Sequence, residues 1–384
     1  MKKYITILLS ALLLLPAFAT VSRAVTQEDI APFEVNADSA VLMDAGTGTV
    51  LYAKNANEAL PPASVTKVMT LLLIMEAIDG GTLTLQDTVT VSEYAASMGG
   101  SQVFLEPFEE MQVEDLLKSV VIASANDAAV ALAEKVGGSE EAFVNRMNER
   151  AGELGMENSH FENVTGLDDD VQNHTLSALD IALVSRELIT KHPQILQYSS
   201  IWMDSIRDGA FGLSNTNRLI RFYSGATGLK TGSTSRAGFC ISATACRDGM
   251  HLIAVIMGSD TRDIRNAAAT QLLDWGFANF AVYNAPATEM GTLPVLGGTQ
   301  AEVALEREGF SALLPKGKDK AVETVTKLPE SVSAPVKKGD AVGKMQFLSD
   351  GEVIGEVDIC AADSVKKVGY GGIFLRMLKK FCLF

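Results

Sequence analysis

Ser64 and Lys67 stand three residues apart in PPASVTKVMTLLLIMEAI, the stretch from Pro61 to Ile78. On a helix, positions i and i+3 share a face, so this hydroxyl and amine can come within hydrogen-bonding reach. A serine needs a neighbouring base to become a nucleophile. A lysine serves as that base only when its pKa is lowered, by desolvation or by a second cation. The apolar run after Lys67 supplies the desolvation. Read alone, Ser64 is equally an ordinary helix N-cap. A second S-x-x-K, Ser364 to Lys367, reads as solvated tail.

Two further clusters change the weighing. S-A-N, Ser124 to Asn126, falls where two predicted helices meet. A serine hydroxyl there can relay a proton, and an amide can hold a substrate carbonyl or the lysine; helix capping is the plain alternative. K-T-G, Lys230 to Gly232, lies in GLKTGSTSRAGF. A strand edge bearing Lys230 and Thr231 can grip an anionic group, and Gly232 allows close backbone approach. The plain alternative is an edge strand blunted by lysine. S-x-x-K, S-x-N and K-T-G occur in that order, about 60 and then about 105 residues apart, the trio of penicillin-binding proteins and serine β-lactamases.

The elements that must position these groups are legible as well. Ser39–Asn55 reads as a β-hairpin around a Gly-rich turn. A helix follows from near Ser64, two helices fill Val113–Val136, a third runs from about Glu140 to Leu154, and Thr175–Thr190 has helical spacing. Gly228–Thr234, Gly238–Cys246 and His251–Ser259 read as adjacent strands, with Arg247–Met250 as a turn, before a helix from about Asp263 to Phe280. Strands at both ends with helices between them predict an α+β domain in which early and late strands share one sheet. Past Asn284, prolines punctuate short Val-rich runs, and Ser349–Ile359 reads as a hairpin. This predicts a small all-β domain. In the tail, Phe374, Met377, Leu378, Phe381 and Phe384 share one helical face, with Arg376, Lys379 and Lys380 largely opposite. Too short to span a bilayer, it suits an amphipathic helix lying on a membrane surface.

Bulk properties narrow the function classes. The chain has 384 residues and a net charge of −15, which argues against nucleic acid as partner because phosphate contacts need clustered Lys and Arg. Lys2 and Lys3 precede an apolar run from Ile5 to Ala19, and small-x-small sites end at Ala19 and Ala24. This is the composition of a cleaved export signal over residues 1–24. Cys240, Cys246, Cys360 and Cys382 match neither a zinc spacing nor a C-x-x-C motif. Cys240 reads as a small buried hydrophobe, and pairing stays open. The four histidines are scattered, Val164–Asn173 is an acidic loop, and no metal or cofactor is expected. His174 reads as structural, opening a helix.

The motifs, together with ASVTKVMT, SANDAAVALAE, LGMENSHFENVTGLD, HTLSALDIA and GLKTGSTSRAGFC, resemble the serine D-alanyl-D-alanine carboxypeptidases, the low-molecular-mass penicillin-binding proteins. The resemblance covers nearly the whole chain. It implies a signal peptide (1–24), a transpeptidase/β-lactamase-like catalytic domain with an antiparallel sheet packed by helices (25–283), a small β-sandwich-like domain (284–362) and an amphipathic membrane-anchoring helix (363–384). The enzyme would be exported and act at the outer face of the cytoplasmic membrane or in the cell wall. Its ligands would be peptidoglycan stem peptides ending in D-Ala-D-Ala, and β-lactams. Ser64 would be the nucleophile and Lys67 its base. Ser124, Asn126 and Lys230 would complete the catalytic set. Thr231 and, by family position, Arg265 would hold the substrate carboxylate, with Arg262 as fallback. Gly232 and Ser233 would line the substrate edge, and the N–H groups of Ser64 and Ser233 would form the oxyanion hole.

Two other functions share these motifs. A class A β-lactamase needs a deacylating glutamate, usually in E-x-x-L-N; the nearest run, Glu141–Asn145, comes too soon after S-x-N. A non-catalytic peptidoglycan-binding scaffold would not need the trio intact.

Overall fold

The computed structural model describes residues 33–168 and 171–381. The expected export segment, Asp169, Asp170, Cys382 and Phe384 lie outside the described residues.

Strands β1 (Ser39–Asp44) and β2 (Val50–Lys54) form the predicted hairpin. Helix α1 spans Lys67–Asp79, preceded by a 3-10 turn over Ala63–Thr66. Helices α2 (Val113–Ile122), α3 (Asn126–Gly137), α4 (Glu140–Glu153) and α5 (Ala178–Lys191) follow. Then come β3 (Ala226–Thr234), β4 (Gly238–Arg247), β5 (Met250–Ser259) and α6 (Arg262–Asn279). The sheet order is β2-β1-β5-β4-β3, all antiparallel. The hairpin and the late strands therefore share one sheet, as the sequence predicts.

Alternation along the strands makes this sheet two-faced. Val41, Met43, Ile253, Val255 and Met257 face a core built with α1 to α5. Leu42, Leu252, Ala254 and Ile256 face the other way, onto Ala268, Leu272 and Leu273 of α6. Helix α1 is apolar all round, and Leu71, Leu72, Leu73 and Ile74 are all buried. Such a helix belongs in the interior, and it carries Lys67 in with it. His174 does not open α5: Ser177 is the N-cap, its side chain accepting from Asp180 N. His174 lies before it, just ahead of Thr175 and Leu176, which bridge to His160 and Leu60.

Beyond α6 the chain is β-rich. The strands are β6 (Phe280–Ala285), β7 (Thr288–Leu296), β8 (Glu302–Arg307), β9 (Phe310–Pro315), β10 (Glu323–Lys327), β11 (Val332–Ser333), β12 (Ala341–Ser349) and β13 (Glu352–Ala361). A six-stranded sheet, β10-β12-β13-β8-β7-β11, faces the pair β6-β9. Phe310 of the pair stacks on Phe347 of the sheet, with ring centroids 4.2 Å apart. Ser349–Ile359 supplies a turn and one strand of a hairpin; its partner is the upstream strand Ala341–Ser349. Helix α7 (Tyr370–Phe381) ends the described chain. Among the described residues, no helix is long and apolar enough to cross a membrane.

Candidate active site

Ser64 sits on the 3-10 turn, and its neighbour Ala63 is held at φ 48°. Strained backbone of this kind persists where surrounding structure dictates it. Lys67, the first residue of α1, is fully buried. Its Nζ lies 2.8 Å from Ser64 Oγ, 2.6 Å from Asn126 Oδ1 and 2.9 Å from the Thr165 carbonyl. Burial, then the neighbouring Lys230, hold the amine well below its ordinary pKa of 10.5, with Asp127 pulling the other way. A neutral amine has two N–H groups and one lone pair. The two carbonyl oxygens can only accept, so they take the N–H groups. The lone pair is left for Ser64, the one partner with a proton to give.

Ser124 and Asn126 lie where α2 gives way to α3, and Ser124 has φ 63°. The Asn126 amide donates to the Gly99 carbonyl at 2.6 Å, and the Asn126 backbone N–H donates to Ser101 O at 2.7 Å. Lys230 is buried on β3 and its Nζ donates to Ser124 Oγ at 2.8 Å. Burial, and then Arg265, push Lys230 down to about 7. Gly232 is pressed against the nucleophile turn. A Cβ there would come within 2.8 Å of Ser64 N and 2.9 Å of Pro62 O and Val65 N. Only glycine lets β3 approach so closely. Ser233, the next residue, is exposed.

Thr231 Oγ1 donates to Thr216 Oγ1 at 2.7 Å. Thr216 in turn lines a cavity of about 520 Å³ with Arg218 and Arg262. The two arginines weighed for the carboxylate therefore sit differently. Arg262 lines the cavity. Arg265 is buried, donating to the Cys240 carbonyl at 3.3 Å and to Asn266 Oδ1. Burial and then Arg262 push Arg265 down to about 10. Cys240 is buried and its thiol is pushed up to about 11, so it packs as a hydrophobe. Glu141, of the E-x-x-x-N run, is exposed on α4. Among the described residues, no cluster of His, Cys, Asp or Glu could hold a metal ion.

Several neighbours of the site escaped sequence reasoning: the Thr165 carbonyl, Thr216, Arg218 and Asp127. Asp127 accepts from the N–H groups of Val103 and Leu105, and so ties the 99–105 segment to α3. Its place directly after S-A-N was the only sequence signal.

A Ser–Lys couple on a helix start, faced by a Lys-Thr-Gly strand of an antiparallel sheet, defines the class of active-site-serine acyl-transfer enzymes that react with penicillin. The chain matches the D-alanyl-D-alanine carboxypeptidase family over residues 23–261 and the penicillin-binding protein 5 C-terminal domain over residues 278–367. It is 45% identical over 342 residues to D-alanyl-D-alanine carboxypeptidase DacF of Bacillus subtilis, covering 87% of each chain. Penicillin-binding protein 5 of Haemophilus influenzae superposes with a TM-score of 0.75 at 32% identity, covering 88% of this chain and 99% of that one. Penicillin-binding protein D2 of Listeria monocytogenes, solved in the ampicillin-bound form, gives 0.57 at 31% identity, covering 64% of this chain and 99% of that one. The chain belongs to the serine D-alanyl-D-alanine carboxypeptidases, the low-molecular-mass penicillin-binding proteins. It is a serine hydrolase of the cell wall.

Proposed function

We propose that the enzyme removes the terminal D-alanine of peptidoglycan stem peptides through an acyl-enzyme on Ser64, and that β-lactams acylate the same oxygen. The observation that carries this reading is the 2.8 Å approach of a buried Lys67 Nζ, its pKa lowered chiefly by burial, to Ser64 Oγ. Lys67 takes the serine proton as Oγ attacks the carbonyl between the two D-alanines. The developing oxyanion is held by the N–H groups of Ser64 and Ser233; one such donor contributes about 2.7–4 kcal/mol. Ser124 passes its proton to the leaving amine and takes one from Lys230, which donates to its Oγ, while Asn126 holds Lys67 and the substrate amide. Gly232 keeps the strand edge close. Thr231 binds the terminal carboxylate within the positive field of Arg265, Arg262 and Arg218, where a planar guanidinium can take both oxygens. Water then hydrolyses the acyl-enzyme.

The remaining expectations belong to the same reading. Residues 1–24 direct export and are removed, and the enzyme works at the outer face of the cytoplasmic membrane. The catalytic domain occupies 25–283 and the β domain 284–362, although β6 crosses that boundary and pairs with β9. The segment 363–384 anchors the chain to the membrane surface. Ile373, Phe374, Met377, Leu378 and Phe381 leave apolar area exposed on α7, which supports that role.

Incubating the protein with a peptide ending in D-Ala-D-Ala should release D-alanine. A fluorescent penicillin should label wild type and not Ser64→Ala. Labelling that persists in Ser64→Ala would refute the assigned nucleophile, and rapid drug turnover would point to a β-lactamase.

A further inference from the structure

A buried polar chain beside Ser64 is not used by the steps above. His174 is 2% exposed. Its Nδ1 accepts from the backbone N–H of Glu162 at 3.0 Å and, more weakly, from that of Asn163 at 3.4 Å. An atom facing backbone donors holds a lone pair, so in the neutral ring the proton sits on Nε2. Burial pushes the ring down to about 4, so it stays neutral at ordinary pH. Nε2 lies 2.8 Å from Thr66 Oγ1, which donates its own proton to the Ala63 carbonyl at 2.8 Å. The chain thus ends on the residue before Ser64.

Its other end reaches the base. Asn163 Oδ1 accepts from the N–H groups of Thr165 and Gly166 at 3.1 and 2.7 Å, and the Thr165 carbonyl is one of the two that orient Lys67. The two segments touch without slack. Gly166 has φ +80°, and a Cβ there would fall 1.8 Å from Ala63 O.

We propose that His174 is a positioning residue for acyl transfer. Acting through Thr66, it holds the turn that carries Ser64 in register with the Thr165 carbonyl, so that the Lys67 lone pair stays directed at Ser64 Oγ. This role rests on the reading of Ser64 and Lys67 as nucleophile and base. His174 touches no reacting atom; the charged and titratable groups around it are Glu162, His160 and Asp168. Around Lys67 they are Lys230 and Asp127. With the tie cut, Lys67 gains water and its ammonium form is favoured, so its lone pair becomes available only at higher pH.

The test is the acylation rate of the full chain by a fluorescent penicillin, followed from about pH 5 to 9. The variants are His174→Ala, Thr66→Val and their double, with His174→Gln and Thr66→Ser as conservative replacements. Displacements of about 1 Å can cost a hundredfold in rate. The disrupting variants should therefore slow acylation by up to about a hundredfold, leave the non-covalent penicillin Kd unchanged and move the acidic limb of the profile to higher pH. The double variant should be no slower than the worse single. Glutamine, which keeps a donor for Thr66, and serine should restore most of the rate. A wild-type rate and limb in folded His174→Ala, or losses that simply multiply in the double, would overturn the role. If His174→Ala does not fold, the same decision comes from Thr66→Val against Thr66→Ser: equal rates overturn the role, and a loss confined to valine upholds it. Labelling that survives Ser64→Ala would instead overturn the nucleophile assignment, so the two failures are distinct.

Discussion

Lys67 in the cleft and Lys344 in the β-rich region are the same side chain put to opposite use. Lys344 is exposed and pairs with Glu356 at 2.5 Å. That hydrogen bond raises its pKa. Among the described residues, the partners of Lys67 are a hydroxyl and two carbonyls rather than a carboxylate, and burial lowers its pKa. The contrast extends to the regions around them. Lys67, Lys230 and Arg265 are buried near one another, and each is pushed down. In the β-rich region the cations Lys318 and Lys344 are paired at the surface, while Phe347 is buried under a half-buried Phe310. Water stabilises an ammonium so well that a chain buries one only where surrounding structure enforces it. The result is an amine that gives up its proton more readily than an exposed lysine, as general-base chemistry requires.

Four substitutions probe the contrast between the buried and the exposed lysine. Lys67→Ala should have the largest effect. Removing a general base lowers acyl transfer by about 10²–10⁴-fold, and no unpaired buried charge remains to unfold the protein. Penicillin labelling rates and a melting curve measure both halves; a wild-type labelling rate would remove Lys67 from the mechanism. Phe347→Ala should do the reverse. Loss of a buried aromatic costs about 3–5 kcal/mol of stability, here confined to the β-rich region. Calorimetry should show an earlier transition there, with acylation unchanged, and a matching drop in labelling rate would mean that the cleft depends on that core.

Lys230 gives a pH test. Its folded pKa is about 7 against an ordinary 10.5, so between those values the unfolded chain binds more protons than the folded one. Stability therefore rises with pH across that window, and below about 7 both states are protonated and the penalty is constant. Lys67 contributes with the same sign. Denaturation midpoints of Lys230→Met should show a flatter rise from pH 7 to 10.5 than wild type; an identical slope would mean that Lys230 is not titrating there. Lys344→Ala should be the smallest effect, leaving melting temperature and labelling rate unchanged, because an exposed pair is screened by solvent.

Much of the site could be read from the chain because its key contact is local. Ser64 and Lys67 are i and i+3, and helix geometry alone brings them together. S-A-N and K-T-G were legible as residue types at a helix junction and a strand. The contacts that complete the site were not. The Thr165 carbonyl that orients Lys67 is a backbone group, and every residue has one. His174 read as the start of a helix because a run of helical spacing follows it; Ser177 is the true cap. Arg262 and Arg265 lie on one helix face, so spacing could not say which would line the Thr216 cavity. In Ser349–Ile359, strand periodicity was correct, but period 2 carries no information about which strand is the partner.

The linear order of residues determined that one helix start would carry a hydroxyl and an amine, that strands from both ends would build one sheet, and that a β-rich region would follow. These outcomes depend on spacing and side-chain type, which act over one or two turns of chain. Tertiary structure alone decided that the amine would be dry, that Lys230 would reach Ser124 from 106 positions away, and that two carbonyls would claim the N–H groups of Lys67. Desolvation and charge proximity arise in full only when distant segments close around a group, and it is those two effects that lower the pKa of Lys67.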